Sequence, residues 1–357
     1  QIALGMSDAG VGFMEIVSDW NEPDPETEFG VLRNIARASG RPIVFTCTQR
    51  HDRPNFWKDL MQMSLDAKKE GLSIRPVVPP RPIGLLFGLD GSQNPFSGTK
   101  TYKSLAHLPL DERVRELKKD SIKEKILSED RLKYSVFPLI HRISFSQMYR
   151  FGSPPDYNPR KEKSIEAMAN QEQRTPKDLA YDILLENQGK NFIYAPLVNY
   201  SNNTFDVCYE MLKDKNAIMG LGDGGAHVGF ILDAGYPTWL LTYWTIEKKL
   251  FSVEESIRRL TSDTAHAVGL HDRGLVKEGL KADINIIDLH KLKSSDPFMV
   301  KDLPADGRRL MQKTAGYIAT IVNGKVTYQN GDFTSNTPGK LIKLIEVNNK
   351  VTQAASS

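Results

Sequence analysis

Apolar residues in the first eighty positions recur in two alternating rhythms. Residues 11–17 form a short apolar run behind Gly10. Over 28–38 the apolar positions Phe29, Leu32, Ile35 and Ala36 share one helical face, and Gly40-Arg41-Pro42 stops the pattern. Residues 42–47 are β-rich, 56–69 are amphipathic and closed by Gly71, and 74–78 make a third strand run. Strand and helix alternating at this pitch predict βα units on a parallel sheet. Right-handed crossovers then build either an open sheet or a barrel.

The rhythm breaks at Pro79 and returns at Thr175. Between them, turn clusters at 91–98 and 152–159 alternate with charged helical stretches such as 111–130. This predicts an insertion over about 86–175, above one end of the sheet. Thr175 suits an N-cap and Pro176 the first helical position. A helix over 178–186, a strand over 192–196, a helix over 204–212 and a strand over 217–222 follow. Two helical stretches, 254–260 and 262–268, come next. Beyond Gly269 the pattern changes to short strands. The run 282–288 alternates, and 318–322 and 325–328 flank Asn323-Gly324, a hairpin signal. The expected division is 1–275, 276–345 as a small β unit, and a disordered polar tail at 346–357.

Composition narrows the class. Hydrophobic residues are 40% and charged residues 25%, as in a soluble globular protein. A net charge of +3, with acidic and basic residues interspersed, argues against nucleic acid or a membrane surface as partner. No apolar run reaches the roughly 18 residues of a membrane helix. Two cysteines, Cys47 and Cys208, make no disulfide framework, so a reducing, cytoplasmic setting is expected.

The densest chemistry is Gly220-Leu221-Gly222-Asp223-Gly224-Gly225-Ala226-His227. A carboxylate here follows an apolar strand, glycines allow close backbone approach, and a histidine comes next. Asp223 could bind a metal and take a proton from water, with His227 contacting the substrate. Asp223 could equally cap a glycine-rich turn. Gly-x-Ser-x-Gly, Walker A and Cys-x-x-Cys patterns are absent, and the glycine spacing is not that of a dinucleotide loop.

This stretch resembles the strand-eight motif of the amidohydrolase superfamily, in its D-aminoacylase and N-acyl-D-amino-acid deacylase branch. Leu260-Thr261-Ser262-Asp263-Thr264-Ala265, Asp272-Arg273-Gly274, Gly279-Leu280-Lys281-Ala282-Asp283 and Thr337-Pro338-Gly339-Lys340-Leu341 resemble the branch downstream, and Pro79-Pro80-Arg81-Pro82 upstream. The resemblance implies a TIM-type (β/α)8 barrel, here its middle and last strands, with a small β-sandwich domain. It implies a hydrolase that cleaves the amide bond of an N-acyl amino acid, the D form by this branch. Asp223 would be metal ligand and general base, on one divalent metal ion, zinc by donor chemistry. His227, with Gly224 and Gly225, would face the substrate.

Departures accompany the resemblance. The superfamily's first metal pair is His-x-His, and none of the seven histidines forms one. The mid-barrel strand tips carry no histidine, which leaves Cys47 and His51 as substitute metal ligands. Cys47 reads more readily as core packing, and His51 as a loop residue. Arg81 could grip a substrate carboxylate in bidentate fashion, or be a braced arginine. Tyr194 could line the pocket. An incomplete barrel exposes strand edges, so a homo-oligomer, a companion segment or a second chain is expected to complete it. A scaffold that has lost catalysis and a hydrolase of cyclic amides are the competing readings.

Overall fold

The computed structural model describes residues 1–133, 142–222 and 227–344. The expected tail at 346–357 lies outside the described residues. The first seven strands, in chain order, are β1 (Met14–Ile16), β2 (Ile43–Thr46), β3 (Ile74–Val78), β4 (Gly84–Gly88), β5 (Tyr149–Arg150), β6 (Phe192–Pro196) and β7 (Ile218–Met219).

β1, β2, β3 and β7 form one parallel sheet in that order. The register places Met14 opposite Ile43, Ile43 opposite Ile74, and Val77 opposite Ile218. Helices Pro25–Ser39 and Phe56–Lys69 connect its first three strands. The Asp24 side chain accepts from Glu26 N at 3.0 Å, Pro25 opens the first helix, and Gly40 closes it in the left-handed region. Phe29, Leu32 and Ala36 pack on Phe45 and Cys47, with Leu60, Met211 and Trp244 completing the same core. Each such fully buried side chain is worth about 1.5–3 kcal/mol relative to exposure. Glu70 binds Arg33 and Arg37 and ties the two helices together outside the core.

The described residues do not close into a barrel, as expected of a chain carrying only its middle and last strands, and they do not line up as consecutive barrel strands either. Their parallel sheet is open, with β1 and β7 as its outer strands. The strand expected at 192–196 exists but belongs elsewhere. β6 pairs antiparallel with β4 and β5, and β3 reaches past it to β7. β4 was not expected at all. Its five residues are all buried, as a continuous apolar run between two glycines. The charged stretch expected at 111–130 is two helices, Leu110–Leu117 and Asp120–Ser128.

Close packing fixes β4 against β6. A Cβ on Gly84 would lie 2.1 Å from Cε2 of Tyr194. Gly84→Ala is therefore expected to destabilise the protein by about 1–3 kcal/mol, an overpacking cost. Urea denaturation checks it, and an unchanged midpoint would mean that the Tyr194 ring yields freely.

The C-terminal region is built of short antiparallel strands: β8 (Ile284–Ile287), β9 (Lys293–Ser294), β10 (Phe298–Leu303), β11 (Gly307–Met311), β12 (Thr314–Ala315), β13 (Tyr317–Val322), β14 (Lys325–Gln329) and β15 (Asp332–Phe333). One four-stranded sheet runs β15-β14-β13-β8. Asn323 and Gly324 turn the β13–β14 hairpin with φ of 50° and 76°. Both angles are positive, as a type I′ turn requires.

Candidate functional site

The carboxyl ends of β2, β3, β6 and β7 meet. Backbone hydrogen bonds carry the parallel ladder to their tips, from Cys47 N to Val77 O at 3.0 Å and from Gly220 N to Val78 O at 3.1 Å. Past β2, Gln49 locks onto the segment after β6. Gln49 N donates to Asn199 Oδ1 at 2.5 Å, Asn199 N donates to Gln49 O at 2.8 Å, and Ser201 N donates to Gln49 Oε1 at 3.0 Å. Asn199 is fully buried with φ of 62°. A left-handed residue held this way is a shaped backbone, since its conformation costs energy that the clamp offsets.

Past β3, Arg81 is buried. Its Nη1 lies 3.1 Å from Asp233 Oδ1 and its Nη2 donates to Leu232 O at 2.8 Å. The guanidinium stacks 3.9 Å over the Tyr157 ring and 4.6 Å over Tyr236. Burial opposes its charge, and the neighbouring Tyr157 and Asp233 outweigh that, so it stays protonated. The carboxylate that Arg81 grips is thus the chain's own Asp233, which corrects the expectation of a substrate carboxylate there. Trp244 Nε1 donates to Pro80 O at 2.6 Å and braces the same turn. Trp244 lies on a π-helix, Leu240–Glu247, a rare form often found at functional sites.

Past β7, Gly222 abuts this cluster. A Cβ there would lie 3.3 Å from Asp233 O and 3.6 Å from the Tyr236 ring. The strand that leads to Asp223 therefore ends beside the Arg81–Asp233 pair. Asp223, Gly224 and Gly225 themselves lie outside the described residues.

The other expected residues divide clearly. Tyr194 is buried in the aromatic box with Phe151 and Tyr157, at ring separations of 5.5 and 5.6 Å. Its hydroxyl has no hydrogen-bond partner among the described residues, and burial pushes its pKa well up, so it stays protonated. His227 is exposed with φ of 52°, and its ring lies 5.4 Å from that of Phe230. His51 is half-buried, with Nε2 3.3 Å from Pro196 O, which places it at the converging tips.

Cys47 is not the metal ligand proposed as an option. Its thiol is fully buried, 3.9 Å from Met211 Sδ, and burial pushes its pKa up to about 12. A ligand must be a thiolate, and this environment opposes one. Among the described residues no three His, Cys, Asp or Glu side chains are grouped to hold a metal ion. The described residues by themselves therefore do not fit a metal centre. Any such centre needs ligands from outside them, Asp223 first.

Reasoning from sequence overlooked Asp233 and the Gln49–Asn199 clamp. Asp233 had a signal, being a lone acid in the apolar stretch Phe230-Ile231-Leu232-Asp233-Ala234. The clamp had none, since its partners stand 150 positions apart.

With Gly222 placed at the strand end, the segment around it can be compared with known proteins. Residues 182–328 match the amidohydrolase family. The matching segment carries β6, β7, Asp233 and most of the C-terminal β region. Curated relatives include the dihydroorotase of Lactobacillus acidophilus, 32% identical over 96 residues, which are 26% of this chain and 22% of that protein. The dihydroorotase of Lactobacillus johnsonii is 33% identical over the same shares. Among solved structures, a D-aminoacylase is similar with TM-score 0.46 and 14% identity, over 90% of this chain and 54% of that one. N-acyl-D-glutamate deacylase from Bordetella bronchiseptica is similar with TM-score 0.43 and 14% identity, over 86% and 51%. The match spans about half the length of these structures and about a fifth of the dihydroorotases.

Proposed function

We propose that this chain is part of a hydrolase that cleaves the amide C–N bond of an N-acyl amino acid. The observation that carries the reading is the segment that matches the amidohydrolase family, in which Gly222, the residue before Asp223 in sequence, lies beside a buried, charge-paired cluster. Asp223 takes the proton of the attacking water and passes it to the leaving amine. His227, on the same loop, steadies the charge that develops on the carbonyl oxygen. His51 stands at the meeting strand tips, with Nε2 3.3 Å from Pro196 O. The N-acyl-D-amino-acid preference rests on the resemblance of residues 79–85, 220–227 and 260–283 to the deacylase branch.

A single divalent ion, zinc, belongs to this reading, with ligands besides Asp223 from outside the described residues. A second copy or a companion segment supplies them. Dialysis against a chelator is expected to abolish hydrolysis of N-acetyl amino acids, and added zinc to restore it. Full activity in metal-free protein would sink the metal-dependent reading. The dihydroorotase matches favour a second reading, a cyclic amide as substrate. Opposing rates on a cyclic amide and on N-acetyl amino acids separate the two. Among the described residues no helix is long and apolar enough to cross a membrane.

A further inference from the structure

A cavity of about 520 Å³ opens where β5 and the start of β6 face β10. That is within the size range of small-molecule sites. It stands at the opposite end of β6 from the tips described above. Five residues at about 3.3 Å each separate the two ends by roughly 13 Å. Its apolar wall is Phe151, Phe192 and Phe298, the first two buried and the third 37% exposed.

The charges on its wall are what specify an occupant. Arg150 is already bonded to Glu186, and Asp90 pairs with Arg308 at 3.0 Å. Two charges remain. Lys190 lines the cavity and makes no ion pair or side-chain hydrogen bond to any described residue. Asp296 lines it too, accepts a hydrogen bond from the Ser153 hydroxyl, and meets no cation among the described residues. Lys190 and Asp296 share one cavity, yet they are not paired with each other. The backbone beside Lys190 is also unusual. Asn187, Gln188 and Gly189 are all left-handed, with φ of 47°, 57° and 80°. At Asn187 and Gln188 such a conformation is kept only where surrounding structure enforces it, and Lys190 follows directly.

We propose that this cavity binds a free amino acid with an apolar side chain. Its carboxylate meets Lys190, its ammonium meets Asp296, and its side chain lies on the three phenylalanines. A cation and an anion on the lining of one cavity, beside an apolar wall, suit the carboxylate, the ammonium and the side chain of such a zwitterion. The site stands on these groups alone. Under the proposed reaction it would take the released amine product, away from the strand tips where it forms.

Calorimetric titration of the full-length protein with phenylalanine, phenylalaninamide and 3-phenylpropionate tests this without reference to turnover. Phenylalanine is expected to bind at least tenfold more tightly than either single-charge analogue. Lys190→Met should weaken phenylalanine by about tenfold and leave phenylalaninamide unchanged. Asp296→Asn should weaken phenylalanine and leave 3-phenylpropionate unchanged. Both residues are exposed, so neither change threatens the fold. No binding at millimolar phenylalanine, or binding indifferent to both substitutions, overturns the proposal. Loss of hydrolysis in Asp223→Ala with phenylalanine binding intact would separate this site from the catalytic one.

Discussion

Asp223→Ala lowers turnover of an N-acetyl amino acid by about a thousandfold or more, with the thermal midpoint within a few degrees of wild type. A general base contributes on the order of 10²–10⁴ to rate. A carboxylate that also holds a metal adds to that loss, because the ion leaves with it. Asp223→Asn should fail almost as badly, since an amide keeps the size but cannot take a proton. The fold should survive, because the core that carries β7 is made of Ile218, Val77 and the residues packed on Met219. A rate within tenfold of wild type would remove Asp223 from the mechanism. A scaffold that has lost catalysis would then be the better reading.

Asp233→Ala has the second large effect, and it acts on stability. Arg81 would be left as a buried cation among Tyr157, Tyr194 and Tyr236 with no counter-charge. Removing one partner of a buried pair costs about 3–5 kcal/mol. The loss would appear as a lower urea midpoint, and in activity through the neighbouring Gly222. The double substitution Arg81→Met with Asp233→Leu should recover much of it, because no charge then stays buried and unpaired. A single variant as stable as wild type would show that the pair is solvated in solution.

Local elements were legible because local physics makes them. Phe56–Lys69, Ile74–Val78 and Phe192–Pro196 carry the expected bounds, and Asn323-Gly324 turns the expected hairpin. Helix Pro25–Ser39 starts earlier than its apolar stripe, since Asp24-Pro25 is a cap signal and the stripe begins only at Phe29. β4 was missed because a five-residue apolar run shows no period.

Site residues were less legible. Gly222-Asp223 stood out through glycine density beside an acid. Arg81 was noticed, but its partner was not, because 152 positions separate it from Asp233. Cys47 shows the same limit. A thiol at a strand tip reads alike whether it faces a mouth or a core, and burial against Met211 decides for the core.

Spacing along the chain was enough for the strand and helix rhythm and for the hairpin at Asn323-Gly324. Periodicity, capping and turn chemistry act between residues a few positions apart, so they can be read in one dimension. Long-range packing alone sends β6 out of the parallel sheet to β4, sets Arg81 against Asp233, and brings Lys190 and Asp296 to one cavity. Those outcomes depend on which distant segments share a core and which charges lose their water, and spacing along the chain carries neither.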